Sequence, residues 1–296
     1  MDMSELARLR HDEPMARHVS WRAGGSARTF FQPADVADLR AFMAALAPGE
    51  AILFVGLGSN LLVRDGGFDG TVVFTHHALT GITQDSPLVF RAGAGVPAPH
   101  LARHVAKRGG TGAEWMAGVP GTIGGALAMN AGCYGGETWN HVRTVETIDR
   151  AGLLHVRSAA DFEIGYRHVA ARTAREEWFV SGTFGFEPGD EARSMASMKH
   201  LLSKRVATQP LNQPNAGSVF RNPPGDHAAR LIESCGLKGF AIGGALVSPK
   251  HANFIINTGS ASAADIEAMV DHVQATVLAK TGIELVREVR IVGSAA

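Results

Sequence analysis

Residues Gly109 to Gly136, GGTGAEWMAGVPGTIGGALAMNAGCYGG, hold ten of the chain's 35 glycines in 28 positions. Glycine allows positive φ and close backbone approach at a cost in chain entropy, so such a cluster needs a use. One use is a backbone whose amides lie bare to a flat or phosphorylated ligand; a glycine-rich surface loop is the alternative. Trp115, Met116, Val119, Ile123, Leu127 and Met129 are interleaved with the glycines, which predicts a half-buried segment and argues against a flexible linker. A second candidate is AILFVGLGSN, a short apolar strand running into Gly56, Gly58 and Asn60, where backbone amides could hold a diphosphate. It is a poor dinucleotide fingerprint. Leu61 occupies the third glycine position, and Thr75-His76 stands where an acidic residue should end the next strand. No glycine precedes Lys-Ser or Lys-Thr at the spacing of a Walker A loop.

The elements that would position these stretches follow from periodicity. Val36, Leu39, Phe42, Met43 and Leu46 predict a helix over 34–47, and Leu101 and Val105 one over 97–108 closed by Gly109-Gly110. Strands are predicted at 71–75, 88–92, 143–149, 153–158 and 178–187, with 143–158 a hairpin turned at Arg150-Ala151-Gly152. A basic helix, 191–205, marks the first domain boundary. The segment 209–226 carries four prolines and three asparagines, and read alone it is an interdomain linker. A helix capped by Asp226 and stopped by Gly236 comes next, then strands at 240–247 and 253–257. The final helix has a Ser262/Asp265 capping pattern, a stripe of Ile266, Met269, Val270, Val273 and Val277, and a stop at Gly282. A terminal strand, ELVREVRIV, ends the pattern. Three regions alternate strands and helices with no repeated unit.

Lysine plus arginine and aspartate plus glutamate balance at 28 each, so no global field recruits nucleic acid or an anionic membrane. Cys133 and Cys235 fit no metal or redox spacing, and a reducing cytoplasm is the simplest location. The opening MDMSELARLRHDEP lacks the apolar core of a signal peptide, and no run of 18 apolar residues predicts a membrane span.

Taken in order, GLGSNLLVRDGGFDG, GAGVP, GVPGTIGGALAMNAGCYG, IGYR, NAGSVFRNP, LKG, HANFIIN and REVRIVG resemble the successive motifs of the UDP-N-acetylenolpyruvoylglucosamine reductase (MurB) family. Each motif is weak alone; the eight together, from about residue 15 to 293, are specific. The resemblance implies a three-domain α/β (α+β) flavoprotein with a vanillyl-alcohol-oxidase/PCMH-type FAD-binding module and a C-terminal substrate-binding domain. The FAD-binding subdomains would be 1–75 (with 285–296) and 76–190, and the substrate-binding domain 191–284. The short connection after Gly182 resembles the compact, type II class, which lacks an extra loop. FAD would be held without a covalent link. NADPH would be the co-substrate and UDP-N-acetylglucosamine enolpyruvate the substrate, in a monomer or weak homo-oligomer.

The implied chemistry passes a hydride from flavin N5 to the enolpyruvyl C3 and a proton to C2. An enzyme accelerates such a step by binding the developing enediolate charge better than the starting enol ether. Arg167 in IGYR matches the arginine for the carboxylate, where a guanidinium fork suits both charge and shape. Glu288 in REVRIVG matches a glutamate that, protonated through burial, would donate to the charge. Ser218 in NAGSVF matches the proton donor. Taken without the family, the three read as a strand-end arginine, an edge-strand glutamate and a turn serine. Ser218 lies 51 residues after Arg167 and 70 before Glu288, so spacing says nothing of their meeting. For FAD, Gly56, Gly58, Ser59 and Asn60 are the pyrophosphate candidates, and Gly118, Gly121, Thr122, Gly124 and Gly125 would supply amides near the flavin. Asn222 matches a substrate-contacting position; Arg221, Lys250 and His251 are candidates beside it, with an exposed turn the alternative for the last two. Trp21 and Val169 depart from the family's usual phenylalanine and serine. Another oxidoreductase on the same FAD fold, or a flavin-binding protein without turnover, are the competing readings.

Overall fold

Asp35 opens the first long helix. Its carboxylate accepts the Asp38 amide hydrogen, and Val36–Ala45 follows, burying Leu39 and Met43. In the computed structural model, which describes residues 8–296, these two side chains pack with Ile148 and Val180 on one face of a five-stranded antiparallel sheet. The strand order is Leu154–Arg157, Val142–Asp149, Glu177–Gly185, Val89–Gly93, Ile82–Ser86. Strand Glu177–Gly185 has a bulge at Val180, which interrupts the alternation, so Phe184 and its cross-strand partner Phe90 turn to the opposite face. There they join Leu101 and Val105 of helix Ala98–Ala106, and Ile123 and Leu127 of helix Ile123–Met129. The predicted hairpin turns where expected, with Asp149 Oδ1 accepting the Ala151 and Leu153 amides. A further sheet has the order Leu9–Pro14, Ser26–Phe31, Phe68–Phe74, Ile52–Val55.

The chain packs as two compact units. One contains residues 8–10, Phe30–Gly56 and Val72–Arg205; the other contains His11–Thr29, Leu57–Thr71 and Val206–Ala296. Residues 1–7, where the stretch MDMSELARLRHDEP begins, lie outside the described residues. Among the described residues no helix is long and apolar enough to cross a membrane.

In the second unit, helix Ala263–Thr281 carries the predicted box: Ser262 accepts the Asp265 amide, Asp265 accepts the Ser262 amide, and Gly282 stops the helix at φ 73°. Its stripe meets Trp21, Val219, Phe220 and Leu231 in one core. Arg64 grips Glu267 through two hydrogen bonds of 2.8 Å, and Asp65 accepts the amides of Ala263 and Ala264. Strand Arg290–Val292 runs parallel to Leu61–Val63.

Three local expectations change. The strand predicted over 240–247 is a tight hairpin, Ala241–Ile242 against Ala245–Val247, because Gly243 takes φ 51° and Gly244 donates to Asp265. The helix after 226 spans Ala228–Ser234, and its first amide is accepted by Asn222; Asp226 instead accepts the His227 amide and pairs with Arg230. Of ELVREVRIV only the last three residues form a strand.

Candidate flavin and substrate site

Glu114 holds the entrance of the glycine stretch. Its carboxylate accepts the Gly112 amide (2.8 Å), the Thr111 hydroxyl (2.8 Å) and the Ser194 hydroxyl (2.5 Å). Burial works to raise its pKa, but the bonds from Ser194, its own backbone, Thr111 and Gly112 together hold it below the usual glutamate range. A 3-10 turn, Glu114–Gly118, then leads to helix Ile123–Met129, with Trp115, Met116, Val119, Ile123 and Leu127 buried as their interleaving predicts.

The candidate flavin residues divide by what their backbone already does. A Cβ on Gly118 would stand 2.8 Å from Cys133 Sγ and 2.9 Å from the Tyr134 ring. The Gly118 carbonyl accepts from Arg205, a guanidinium whose pKa burial lowers. The Gly121 carbonyl accepts the Ala98 amide, and the Gly124 amide donates to Ala94 O at 2.9 Å, so that amide is committed within the protein. Gly125 is exposed, with nothing nearer its notional Cβ than Thr122 Oγ1 at 4.0 Å. Thr122 is 1% exposed, and its Oγ1 is a buried hydroxyl oxygen without a hydrogen-bond partner. Gly56 lies against it: a Cβ there would come within 2.1 Å of that oxygen. An orphaned buried hydroxyl beside close-packed glycines fits a polar ligand group such as a flavin or its diphosphate.

In the second unit Gly58 takes φ 57°, and a Cβ would stand 2.3 Å from His18 O. Ser59 follows it, half-buried. The Asn60 side chain donates to Glu288 O at 3.0 Å, and the Asn60 carbonyl accepts the Arg290 amide at 3.0 Å.

Ser218 and Glu288, distant in sequence, are neighbours through the backbone. Glu288 N–H donates to Val219 O at 2.8 Å, Phe220 bridges Arg287 in antiparallel fashion, and Arg221 N–H donates to Val286 O. Both residues are half-buried. The Ser218 turn is set by Asn215, which accepts the Gly217 amide at 2.9 Å where Gly217 takes φ 74°. Asn253 clamps the far side: its Oδ1 accepts the Phe220 amide, its Nδ2 donates to Phe220 O, and its carbonyl accepts the Val219 amide. Thus 209–226 is irregular yet anchored by the buried Val219 and Phe220.

Beside this segment Arg221 Nε is buried without a hydrogen-bond partner. The Asn222 carbonyl oxygen is used on the Ala228 amide. Lys250 turns to Val206 O at 2.6 Å. His251 lies edge-on to Phe254 with Nδ1 buried and unpartnered; burial, then Lys238, lowers its pKa and favours the neutral ring.

Arg167 belongs to the first unit. It sits at the turn between strands Phe162–Gly165 and His168–Ala171 with φ 54°, a conformation that costs a non-glycine residue energy and marks a position held by its surroundings. Its guanidinium donates to Gly132 O (2.5 Å) and Asn130 O (3.4 Å), the end of the glycine stretch, and lies 5.0 Å from the Tyr166 ring centroid. Between the arginines, Cys133 donates to Trp115 O; burial pushes its thiol up to about 11 against the opposing charges of Arg205 and Arg167. Of the departures, Trp21 is fully buried and donates to Ile255 O, and Val169 pairs with Ile164 and packs on the first unit's core.

Sequence reasoning missed Glu114, Arg205 and Asn253. Asn253 lay inside the quoted HANFIIN, and a polar residue ahead of an apolar strand was its one available signal.

Residues 27–157 match the FAD binding domain family, and residues 209–292 match the UDP-N-acetylenolpyruvoylglucosamine reductase C-terminal domain family. The chain is 53% identical over 299 residues to the UDP-N-acetylenolpyruvoylglucosamine reductase of Thiobacillus denitrificans, covering 97% of this chain and 92% of that protein. It is 54% identical over 287 residues to that of Alkalilimnicola ehrlichii, covering 97% and 95%. Among solved structures, UDP-N-acetylenolpyruvylglucosamine reductase (MurB) from Thermus caldophilus superposes with a TM-score of 0.80 at 28% identity, over 96% of this chain and 100% of that one. The chain belongs to the UDP-N-acetylenolpyruvoylglucosamine reductase family.

Proposed function

We propose that the chain reduces UDP-N-acetylglucosamine enolpyruvate to UDP-N-acetylmuramate with electrons from NADPH, in cytoplasmic peptidoglycan precursor synthesis. As a family member it is an FAD oxidoreductase. The observation that carries the reading is the bridge joining the Ser218 turn to Glu288, because the reaction needs a proton donor and a charge-stabilising acid on one scaffold.

FAD, when bound, supplies the hydride; the orphaned Thr122 hydroxyl, Gly56, Gly121 and the exposed Gly125 of the first unit, with Gly58 and Ser59 of the second, are the residues we assign to holding it. Ser218 Oγ delivers a proton to substrate C2, and water refills it. Arg167 grips the substrate carboxylate: its charge is permanent, and its strained backbone points to a site fixed before binding. Glu288, protonated, donates to the same developing charge. Asn222 keeps its amide N–H groups for the substrate while its oxygen serves the helix, and the buried Arg221 Nε, Lys250 and neutral His251 are the further substrate contacts. We retain the division into 1–75 with 285–296, 76–190 and 191–284 as the functional one; the parallel pairing of Arg290–Val292 with Leu61–Val63 supports returning the C-terminal strand to the first part.

The test is an anaerobic absorbance trace of the FAD-loaded protein. NADPH bleaches the oxidised flavin band, and UDP-N-acetylglucosamine enolpyruvate restores it. Ser218→Ala keeps the bleaching and suppresses the recovery; equal loss of both halves would remove Ser218 from proton transfer. Glu288→Gln, which can still donate, loses less than Glu288→Ala. Bleaching without recovery in the native chain would point to another substrate on the same fold.

A further inference from the structure

We infer that Asn60 is a positioning residue for Glu288, a role distinct from the diphosphate contact its motif suggests; the inference rests on the proposed function for its kinetic part. Its side chain donates to the Glu288 carbonyl, and its own carbonyl accepts the Arg290 amide, both at 3.0 Å. One residue thus holds the chain just after the acid at two points, either side of Val289. The orientation of the amide follows from chemistry: only Nδ2 can face a carbonyl oxygen, so at least part of its donor capacity is spent on the protein.

The need for a side chain here is geometric. Leu61 pairs with Arg290 in the parallel ladder, and Gly58 turns the chain away at φ 57°, so main-chain pairing does not continue past Asn60. The Asn60 amide adds the next bond beyond the ladder. On its other side Glu288 is fixed by the 2.8 Å bond from its amide to Val219 O, beside Ser218. Release of the Asn60 bond leaves the Glu288 carbonyl held less firmly and loosens the carboxyl relative to Ser218.

Three measurements on the FAD-loaded chain test this. Asn60→Ala should slow substrate-driven flavin recovery about ten- to a hundredfold, the range for a misplaced catalytic group, while FAD affinity by fluorescence titration changes less than about threefold, under the ~0.7 kcal/mol of a modest contact. In a Glu288→Ala background the same substitution should add less than about threefold, since a residue acting through Glu288 has nothing left to position. Amide hydrogen exchange over 286–290 should accelerate in Asn60→Ala. If Asn60→Ala does not fold, Asn60→Asp replaces it, isosteric and without the donor. Weakened FAD binding with both half-reactions slowed alike, additive effects with Glu288→Ala, or unchanged exchange would overturn the inference. Faster exchange in the variant, with no substrate-driven recovery in the native chain, would sink the proposed function and leave the clamp standing.

Discussion

A Cβ added to Gly136 would stand 2.3 Å from the buried Trp115 ring, and one added to Gly124 would stand 2.9 Å from Ala94 Cβ. Nothing of that kind shapes 209–226, where Gly217 and Gly225 have no atom within 4 Å of a notional Cβ. There the fixing is done by amides: Asn215 on Gly217, Asn222 on Ala228, and Asn253 on both polar groups of Phe220. Both stretches are irregular and both carry candidate site residues. One keeps its shape because atoms are missing and the backbone closes up, the other because side chains substitute for main-chain partners. The first should be intolerant of an added methyl group, the second of a lost polar atom.

The largest effect is expected from Gly136→Ala, which forces a methyl group into Trp115 and should lower unfolding stability by about 3 kcal/mol, as overpacking of a tight core does. A calorimetric loss under about 1 kcal/mol would mean the ring can shift and the steric account is wrong. Asn253→Ala comes next. It strips both Phe220 backbone groups of buried partners, for about 2–3 kcal/mol in denaturant titrations. Asn253→Asp should be nearly as costly, since a carboxylate can accept but not donate; a benign Asp variant would break the amide half of the comparison.

Gly125→Ala departs from this rule, since Gly125 is open and, unlike Gly109, Gly112 and Gly135, does not take a positive φ. Its open surroundings predict a gain of about 0.5–1 kcal/mol in the protein without cofactor, from reduced chain entropy. The same substitution should weaken FAD binding if Gly125 lies against the flavin, so stability and affinity moving together would count against that assignment. The smallest effect concerns Glu114. Its folded pKa is depressed, so its contribution is present above the unfolded value of 4.5 and is lost as pH falls through the folded one. Glu114→Gln should flatten the acid limb of stability against pH below about 4.5; an unchanged limb would remove Glu114 as the holder of the entrance.

What was legible in the sequence was local. Ser262, Asp265, the apolar stripe and Gly282 specify helix Ala263–Thr281 within one window, and Arg150-Ala151-Gly152 specifies its hairpin. Where an apolar run contains a glycine pair, as at Gly243-Gly244, periodicity reads through a turn that contacts with the distant Asp265 and Thr258 define. The Asp226 cap failed for a similar reason, because Asn222 reaches the same helix end from further back. The three catalytic candidates were identified by motif alone. Nothing within 70 residues of chain announces that Val219 will accept the Glu288 amide, or that Asn60 will reach across 228 residues to the Glu288 carbonyl.

That last separation has a consequence for how the protein is made. At about 5–20 residues per second, Leu61–Val63 leaves the ribosome roughly ten to forty-five seconds before Arg290–Val292 exists to pair with it. The first unit, complete at Arg205, can close during synthesis. The second must keep the apolar Leu61–Val63 edge waiting, exposed to chaperones and to other nascent chains. Slow translation through 206–290 would therefore lengthen the aggregation-prone interval, and the acid that completes the proposed site would be the last feature to be fixed in place.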